Sequence, residues 1–494
     1  MRPIVRAHNF DRKHSMPQSS YAMAESTAFT KKLKPVLISG KEVLPIIEGG
    51  KGVGASNGLT AGAFAAAGAV GTFSGVNGLI YEQDGSVRPL VYKGTTRRER
   101  HEELVAFGIE AGILHAQMAR DTAGEKGRIH VNVLWEMGGA ERVLEGVLEG
   151  AKGLVHGITC GAGMPYRLSE IAACHNVHYH PIISSMRAFR ALWKRAYSKY
   201  QDLLGSVVYE DPWLAGGHNG LSNGEDPNRP EDPYPRVREL RSFMNEVGLH
   251  HVPIIMAGGA WHLQDFEHWL DNPEIGPIAF QFGTRPLLTL ESPIPDAWKA
   301  RLMTIEKGDV FLNKFSPTGF YSSAVNNAFI QELRARNERE VPFVSEPEGY
   351  MSEPYLFGPR KRPIYMTSED KERTDQWASL GYTEAMKTPD NTLIFVAPDK
   401  AQEIHQDQVD CMGCLTHCRF SNWKDHEDYT TGKKADPRSF CIQKSLQDIV
   451  RGGSMDHNLM FAGHNAYKFK QDPFYSNGFI PSVQQLVERI MTGA

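Results

Sequence analysis

Two short stretches near the middle of the chain decide the fold that the sequence predicts. Residues 253–259 are Pro-Ile-Ile-Met-Ala-Gly-Gly, and residues 279–285 are Ala-Phe-Gln-Phe-Gly-Thr-Arg. Each is an apolar run that ends in glycine, which is typical of a parallel β-strand covered on both faces and followed by a tight turn. Because glycines let backbone N–H groups approach phosphate oxygens closely, the two turns together favour a phosphate-bearing cofactor. Either glycine turn alone would also fit an ordinary connection.

Six further apolar or β-branched runs precede these two along the chain. The eight predicted strands are residues 44–47, 70–72, 129–134, 154–159, 180–183, 206–209, 253–256 and 279–282. Helical patterns lie between them, such as residues 59–67 with Asn57 as N-cap and Gly68 as terminator. Eight strand–helix units over residues 35–330 predict a (β/α)8 TIM barrel, an α/β fold. An open doubly wound sheet is the alternative.

Composition limits the classes of function that remain. The 494 residues are 41% hydrophobic and 23% charged, which is ordinary for a globular protein. Lys plus Arg number 54 against 58 Asp plus Glu, so nucleic acid is not an expected partner. The uncharged run over residues 52–81 is long enough to cross a bilayer, but its glycines and polar residues favour a buried helix and strand, and we expect no membrane partner.

The chain begins with a basic stretch over residues 1–34 that has no apolar segment. We expect a disordered tail, with an organelle transit peptide as the alternative. Six cysteines are too few for a secreted disulfide scaffold, and the expected location is the cytoplasm.

Two more glycine-rich segments follow predicted strands and should share the rim where a barrel carries its active site. Residues 215–220 are Ala-Gly-Gly-His-Asn-Gly. His218 has little side-chain cover there and can move a proton near neutral pH. Residues 160–165 are Cys-Gly-Ala-Gly-Met-Pro. Cys160 could be a nucleophile, but the sequence assigns it no base, and a small buried filler is the simpler interpretation.

Four cysteines, Cys411, Cys414, Cys418 and Cys441, fall within 31 residues. The C-x2-C-x3-C spacing brings three thiolates into one loop, and the fourth can complete a [4Fe–4S] cluster or a tetrahedral zinc site. Structural zinc more often shows two separated C-x2-C pairs, which favours the [4Fe–4S] cluster here. Zinc, and unliganded or redox-switch cysteines, remain alternatives.

Residues 331–494 are predicted to form a C-terminal module that carries these four cysteines. Residues 331–400 are rich in Pro, Glu, Lys and Arg and show little periodicity. The chain closes with a helical pattern over residues 481–490 that we expect to dock on the barrel. The apolar positions of this pattern are Val483, Leu486, Val487 and Ile490.

Six ordered blocks resemble the FMN-dependent nitronate monooxygenase family, once called 2-nitropropane dioxygenases. This family also includes the bacterial flavin-dependent enoyl-acyl-carrier-protein reductase. The blocks are residues 45–50, 131–133, 160–165, 215–220, 257–259 and 283–285 with 291–292. The resemblance covers roughly residues 40–330 and implies an FMN-binding barrel.

The resemblance also implies roles for individual residues. It places Gly49, Gly50 and the Asn132 side chain at the isoalloxazine ring, and His218 beside the reactive face as base or acid. The implied phosphate site is Gly258, Gly259, Gly283 and Thr284, and Gly161 and Gly217 lie in the matched glycine blocks.

Two features depart from the family pattern. Glu48 and Lys51 flank the first glycine pair, where Lys51 could stabilise reduced anionic flavin. A Glu48–Lys51 surface ion pair is the alternative. The long polar stretch over residues 219–235 is predicted to form a lid or a partner surface.

Three functions compete. The first is a nitronate monooxygenase-like enzyme that oxidises an alkyl nitronate and is reoxidised by oxygen. The second is a reductase of an enoyl thioester or similar activated alkene, with electrons from NAD(P)H or from a ferredoxin-like partner through the cluster. The third is a zinc-stabilised, non-enzymatic assembly subunit, against which His218 in its intact glycine frame argues. We predict an FMN oxidoreductase in which His218 moves a proton and electrons pass through flavin N5.

Overall fold

The computed structural model of the protein describes residues 33–82, 86–424 and 435–492. The predicted basic tail therefore lies outside the described residues, apart from Leu33 and Lys34. No helix of the described part is long and apolar enough to cross a membrane. The uncharged run over residues 52–81 instead contains a short helix and a buried strand, as predicted.

The first two thirds of the chain contain the barrel strands together with several shorter strands. They are β1 (Val36–Ile38), β2 (Lys41–Val43), β3 (Ile46–Glu48), β4 (Val70–Ser74), β5 (Ile80–Tyr81), β6 (Val87–Arg88), β7 (Arg128–Leu134), β8 (Gly157–Gly161), β9 (His178–Ile183), β10 (Val207–Glu210), β11 (Gly217–His218), β12 (Ile254–Ala257), β13 (Ile278–Phe282), β14 (Val310–Asn313) and β15 (Ser322–Val325).

Eight of these strands close into a parallel barrel in the order β3-β4-β7-β8-β9-β10-β12-β13. Closure is made by β13 and β3, with Phe280 opposite Ile46. Each barrel strand overlaps one predicted strand, so the predicted TIM barrel is confirmed and the open sheet is excluded. The β1–β2 hairpin precedes the barrel, and Ile38 and Val43 pack in one buried cluster with the inward-facing Ile47 and Val70.

Helices surround the barrel. They are α1 (Gly58–Ala66), α2 (Arg97–Ala123), α3 (Ala140–Gly150), α4 (Leu168–His175), α5 (Met186–Arg195), α6 (Pro233–Glu246) and α7 (Asp296–Leu302). The Asn57 side chain accepts a hydrogen bond from Thr60 N and caps α1, as predicted. After β12 a 3-10 segment, Leu263–Trp269, stands where an α-helix would be expected.

The C-terminal part builds several small sheets. Its helices are α8 (Ala328–Glu338), α9 (Ser368–Ser379), α10 (Pro398–Val409), α11 (Ile442–Val450), α12 (Lys468–Gln471) and α13 (Val483–Met491), and its strands are β16 (Glu340–Pro342), β17 (Glu353–Phe357), β18 (Arg362–Met366), β19 (Glu384–Lys387), β20 (Thr392–Val396), β21 (His417–Cys418) and β22 (Trp423–Lys424). The expected module boundary at residue 330 falls inside α8.

The last helix returns to the barrel. The apolar face of α13 is buried in the same core as the barrel helices and contacts α1. Leu290 N donates to Pro481 O at 2.9 Å and Val483 N to Glu291 Oε2 at 2.9 Å, which ties the start of α13 to the segment after β13. The apolar face of α13 thus packs against the barrel.

Candidate functional site

A cavity of about 250 Å³ opens at the carboxyl ends of the barrel strands. The carboxyl ends of parallel strands meet on one face, so residues distant in sequence converge there. All the barrel residues proposed for the site from the sequence line this cavity: Gly49, Gly50, Lys51, Asn132, Gly161, Gly217, His218, Gly258, Gly259, Gly283 and Thr284. Their individual roles remain proposals.

The glycines at the carboxyl-end rim of the barrel leave the space beside the backbone free of side chains. A Cβ on Gly50 would lie 2.3 Å from Asn132 Cβ, so the first turn packs directly on that side chain. Gly258 and Gly259 have φ of +85° and +79°, a left-handed conformation that side chains disfavour. A Cβ on Gly283 would meet nothing within 4 Å, because this position faces the open cavity. Exposed peptide groups of this kind suit a phosphate.

Asn132 lies near the end of β7 and faces the cavity. The Thr159 hydroxyl donates to Asn132 Oδ1 at 3.1 Å, which engages the amide oxygen. The amide NH2 is therefore the group that can donate to a ligand. Gly50 and Thr159 together hold this side chain in one orientation.

His218 ends the short strand β11, which pairs with β15. Its Nε2 lies 2.7 Å from Ser316 Oγ, and its ring packs edge-on against Phe461 with 5.6 Å between centroids. Burial lowers the pKa of His218 to about 4. The imidazole is therefore neutral near pH 7, and a neutral imidazole can accept a proton.

Lys51 and Glu48 form a buried ion pair. Lys51 Nζ lies 3.2 Å from Glu48 Oε1 and donates to Gly49 O at 2.6 Å, while Thr72 N donates to Glu48 Oε2 at 3.3 Å. Burial raises the pKa of Glu48 and lowers that of Lys51, and the opposite charge of each partner offsets these shifts. The predicted surface ion pair is wrong in its location, since Glu48 ends a barrel strand and its side chain is fully covered.

Cys160 is fully buried in the barrel core, and burial raises the pKa of its thiol far above the usual range. The interpretation of Cys160 as a small buried filler is confirmed. A thiol in this state is a poor nucleophile because the thiolate is the reactive form.

The four clustered cysteines lie beside the same cavity, and Cys414 lines it. Burial, and then the thiols of Cys441, Cys418 and Cys411, raise the pKa of Cys414, so the four sulfurs lie within electrostatic reach of one another. Cys411 Sγ accepts two hydrogen bonds, one from Ser421 Oγ at 3.0 Å and one from Gly413 N at 3.5 Å. Within residues 33–82, 86–424 and 435–492, no three His, Cys, Asp or Glu side chains are arranged to hold a metal ion. The predicted metal centre is thus not shown.

The barrel fixes the position of this cysteine loop. Gly138 N donates to Cys414 O at 3.0 Å, Arg100 Nε donates to Cys411 O at 3.1 Å, and His101 Nδ1 bonds Gly413 O at 2.9 Å. The loop is therefore held by the start of α2 and by the turn before α3. It forms part of one wall of the cavity.

Another wall comes from a segment that the sequence analysis missed. Phe461–Ala466 crosses the rim, where Gly463 N donates to Thr284 Oγ1 at 3.0 Å and Asn465 Nδ2 donates to Gly259 O at 2.5 Å. A signal was present, because residues 463–465 repeat the Gly-His-Asn of residues 217–219. Both copies contact Ser323, whose Oγ accepts from Asn219 Nδ2 at 3.3 Å and lies 3.1 Å from His464 Nε2.

The predicted lid over residues 219–235 is not observed. Of the described residues that line the cavity, none falls in this stretch. Trp213 Nε1 donates to Asp226 O at 2.9 Å, and Arg236 pairs with Glu225 and Glu231 at 2.7 Å each, which holds the stretch beside the rim. Glu210, at the end of β10, is a further cavity residue that the sequence analysis missed.

A closed (β/α)8 barrel with a glycine-lined cavity at the carboxyl ends of its strands defines a class of enzyme scaffold. The family model described as nitronate monooxygenase matches residues 35–493, and the chain belongs to this family. The protein is an oxidoreductase, and family membership supports FMN as its cofactor. The match extends through the C-terminal part as well as the barrel.

One of the similar solved structures shares this fold. The chain is similar to FabK from Thermotoga maritima, at 14% identity and a TM-score of 0.51, with 94% of each chain covered, which shows a shared fold. The enoyl reductase domain of MlnA from Bacillus amyloliquefaciens matches at 12% identity and a TM-score of 0.49, covering 91% of this chain and 93% of that one. Nitroalkane oxidase from Streptomyces ansochromogenes matches at 17% identity and a TM-score of 0.41, covering 62% of this chain and 81% of that one. No curated protein matches the sequence.

Proposed function

We propose that the protein is an FMN-dependent oxidoreductase of the nitronate monooxygenase type, in which His218 accepts a proton from a nitroalkane or holds the derived nitronate. The observation that carries the proposal is a neutral imidazole inside the glycine-lined cavity. A carbon acid loses its proton to a base, and His218 is in the basic form throughout the neutral range.

The residues present fit FMN. The open position at Gly283, the peptide groups of Gly258 and Gly259 and the hydroxyl of Thr284 suit its phosphate. The Asn132 amide, held by Thr159, suits a hydrogen bond to the ring. Lys51 would add a positive charge near it. Bound FMN supplies two-electron chemistry at its ring, whereas the protein side chains bind, orient and exchange protons.

The cavity wall near His218 suits the alkyl part of such a substrate. Phe461 packs on the imidazole, and Phe320, Met137 and Leu134 also line the cavity. These apolar side chains exclude water from the position where the proton moves. They favour a substrate whose polar group is small and whose remainder is hydrocarbon.

Oxygen uptake tests the proposal. We expect the FMN-loaded enzyme to consume oxygen when the anion of 2-nitropropane is added, without any nicotinamide. Rapid NAD(P)H oxidation together with no nitronate-dependent oxygen uptake would contradict it and favour the reductase described next.

A second candidate is a reductase of an enoyl thioester or similar activated alkene, coupled to a [4Fe–4S] cluster and supplied by NAD(P)H or by an electron-transfer protein. Cys414 favours it, because this thiol lines the cavity while the other three thiols lie close behind. The C-x2-C-x3-C spacing of Cys411, Cys414 and Cys418 is the support for a cluster in preference to zinc. Such an activity fits the cytoplasm, where thiols stay reduced.

Metal content and the visible spectrum of protein purified without air test the cluster. We expect about four irons per chain and broad absorbance beneath the flavin bands. Cys411→Ser and Cys418→Ser should lose the iron, and Cys174→Ser, at an exposed cysteine outside the group, should keep it. One zinc per chain with a clean flavin spectrum would support a structural zinc module instead.

A further inference from the structure

Glu210 presents a half-buried carboxyl to the cavity. It is the last residue of β10. Ser206, which directly precedes this strand, lies with its Oγ 2.7 Å from Nδ1 of the inward-facing His180. Side chains two residues apart share a face of a strand, so Val208 and Glu210 also face the barrel interior. Glu210 therefore reaches the cavity from the floor, at the carboxyl end of the barrel.

The carboxyl of Glu210 makes no hydrogen bond or ion pair with the part of the chain that the structure describes. The other charged or histidine side chains of the cavity are engaged: Lys51 with Glu48 at 3.2 Å, Glu136 with Thr416 at 2.9 Å, His218 with Ser316 at 2.7 Å and Arg285 with Trp261 O at 2.7 Å. A half-buried carboxyl that lines a cavity and has no protein partner is available to bond a ligand that enters the cavity.

We propose that Glu210 is a catalytic residue that stays protonated and donates a hydrogen bond to the substrate oxygen on which negative charge develops. The inference rests on the proposed function. His218 takes the proton from carbon, so that a C–H bond breaks and an N–H bond forms on the imidazole. The electron pair moves onto a nitro oxygen, to which the Glu210 hydroxyl would donate its hydrogen bond. A thioester carbonyl presents the same oxygen chemistry.

The surroundings of Glu210 favour its neutral form. Burial, and then the neighbouring carboxyl of Asp211, raise the pKa of Glu210 to about 8. Asp211 itself accepts hydrogen bonds from Trp213 N and Leu214 N at 2.9 and 2.8 Å. On one side β12 presents only Ile254–Ala257, without a titratable group, and on the other the histidines of β9 lie toward the opposite end of the barrel.

These environments give the two groups opposite tasks. Near pH 7 the imidazole of His218 is free of its second proton and the carboxyl of Glu210 retains its own. A neutral acid and a neutral base that line the same cavity can stabilise a developing oxyanion without burying a net charge beforehand.

The test compares the FMN-loaded wild type with Glu210→Gln, Glu210→Ala and Glu136→Gln. We expect kcat/KM, calculated on the concentration of un-ionised 2-nitropropane, to fall in the wild type as pH rises through about 8, because Glu210 then loses its proton. This alkaline limb should vanish in both Glu210 variants and persist in Glu136→Gln, whose carboxyl bonds Thr416. Glu210→Ala should lose about 100-fold at pH 7, and Glu210→Gln less because its amide can still donate.

Infrared titration gives a readout that does not depend on turnover. The C=O stretch of a protonated carboxylic acid should disappear through about pH 8 in the wild type and in Glu136→Gln, and be missing in Glu210→Gln. Persistence of that band or of the alkaline limb in Glu210→Gln would overturn the proposal.

Wild-type enzyme that turns over neither 2-nitropropane nor its anion would refute the proposed function separately. The nitronate then serves as a dead-end ligand whose dissociation constant is read from the flavin spectrum. That constant should rise about tenfold in Glu210→Ala, and an unchanged constant would overturn the role of Glu210.

Discussion

At the scale of single residues, Gly283 is the position where a side chain would enter the cavity without touching the protein. Gly283→Glu should place a carboxylate where the proposed phosphate site lies, so we expect folded protein that lacks FMN. Gly283→Ala is the matched control, since its methyl group meets nothing within 4 Å and should leave FMN bound. Flavin absorbance per folded chain measures both. FMN retained by Gly283→Glu would remove this turn from the cofactor site.

Substitution of His218 and the pH dependence of the wild type test the proposed proton transfer. His218→Ala should keep FMN and lower kcat/KM for 2-nitropropane by about 10²- to 10⁴-fold. Because the pKa of His218 is lowered to about 4, the neutral base is present above that pH. Wild-type kcat/KM should therefore stay level from about pH 7 to pH 5 and fall as pH drops through 4. An acid limb near pH 6.5 would show that the essential group is not this buried imidazole.

At the scale of elements, two substitutions in α13 test whether this last helix is part of the barrel core. Leu486 is fully buried in the barrel core, whereas Gln484 is exposed on the same helix. Leu486→Ala should lower the free energy of unfolding by about 2–5 kcal/mol because it leaves a cavity against α1. Gln484→Ala should change it by less than about 0.5 kcal/mol. Urea unfolding of the two variants gives the comparison, and equal stabilities would mean that α13 is not part of the core.

The same scale shows what local sequence can predict. The barrel strands were found because parallel strands covered on both faces are continuous apolar runs. Their ends were misjudged where the last residue of the strand is polar or glycine, as at Glu48, Gly161 and Glu210. Residues 331–400 lacked periodicity because they fold into short antiparallel strands around a small separate core, whose members include Val341 and Phe395. Pairings of that kind leave little periodicity in a short window.

At the scale of the whole molecule, the site is assembled from both ends of the chain. The glycine turns and His218 were predictable because each follows its own strand. The walls made by Cys414 and by Phe461–Ala466 were not predicted, because neither follows a barrel strand. The repeated Gly-His-Asn at residues 463–465 does not indicate a partner such as Gly259, which lies 206 positions away in the sequence. The C-terminal part is thus continuous with the barrel at the cavity, consistent with a family match that spans residues 35–493.

The contribution of the C-terminal segment to cofactor binding can be tested at Asn465. Its amide holds Gly259 O across the rim, so Asn465→Ala should free one of the turns proposed to bind phosphate while leaving the barrel folded. Loss of one buried hydrogen bond of about 1 kcal/mol corresponds to a roughly fivefold higher FMN dissociation constant. Lys470→Ala is the control, because Lys470 pairs with Glu306 at the surface. Titration of the FMN-free proteins with FMN measures the difference. Equal affinities in the two variants would show that the barrel turns hold the cofactor without help from the C-terminal segment.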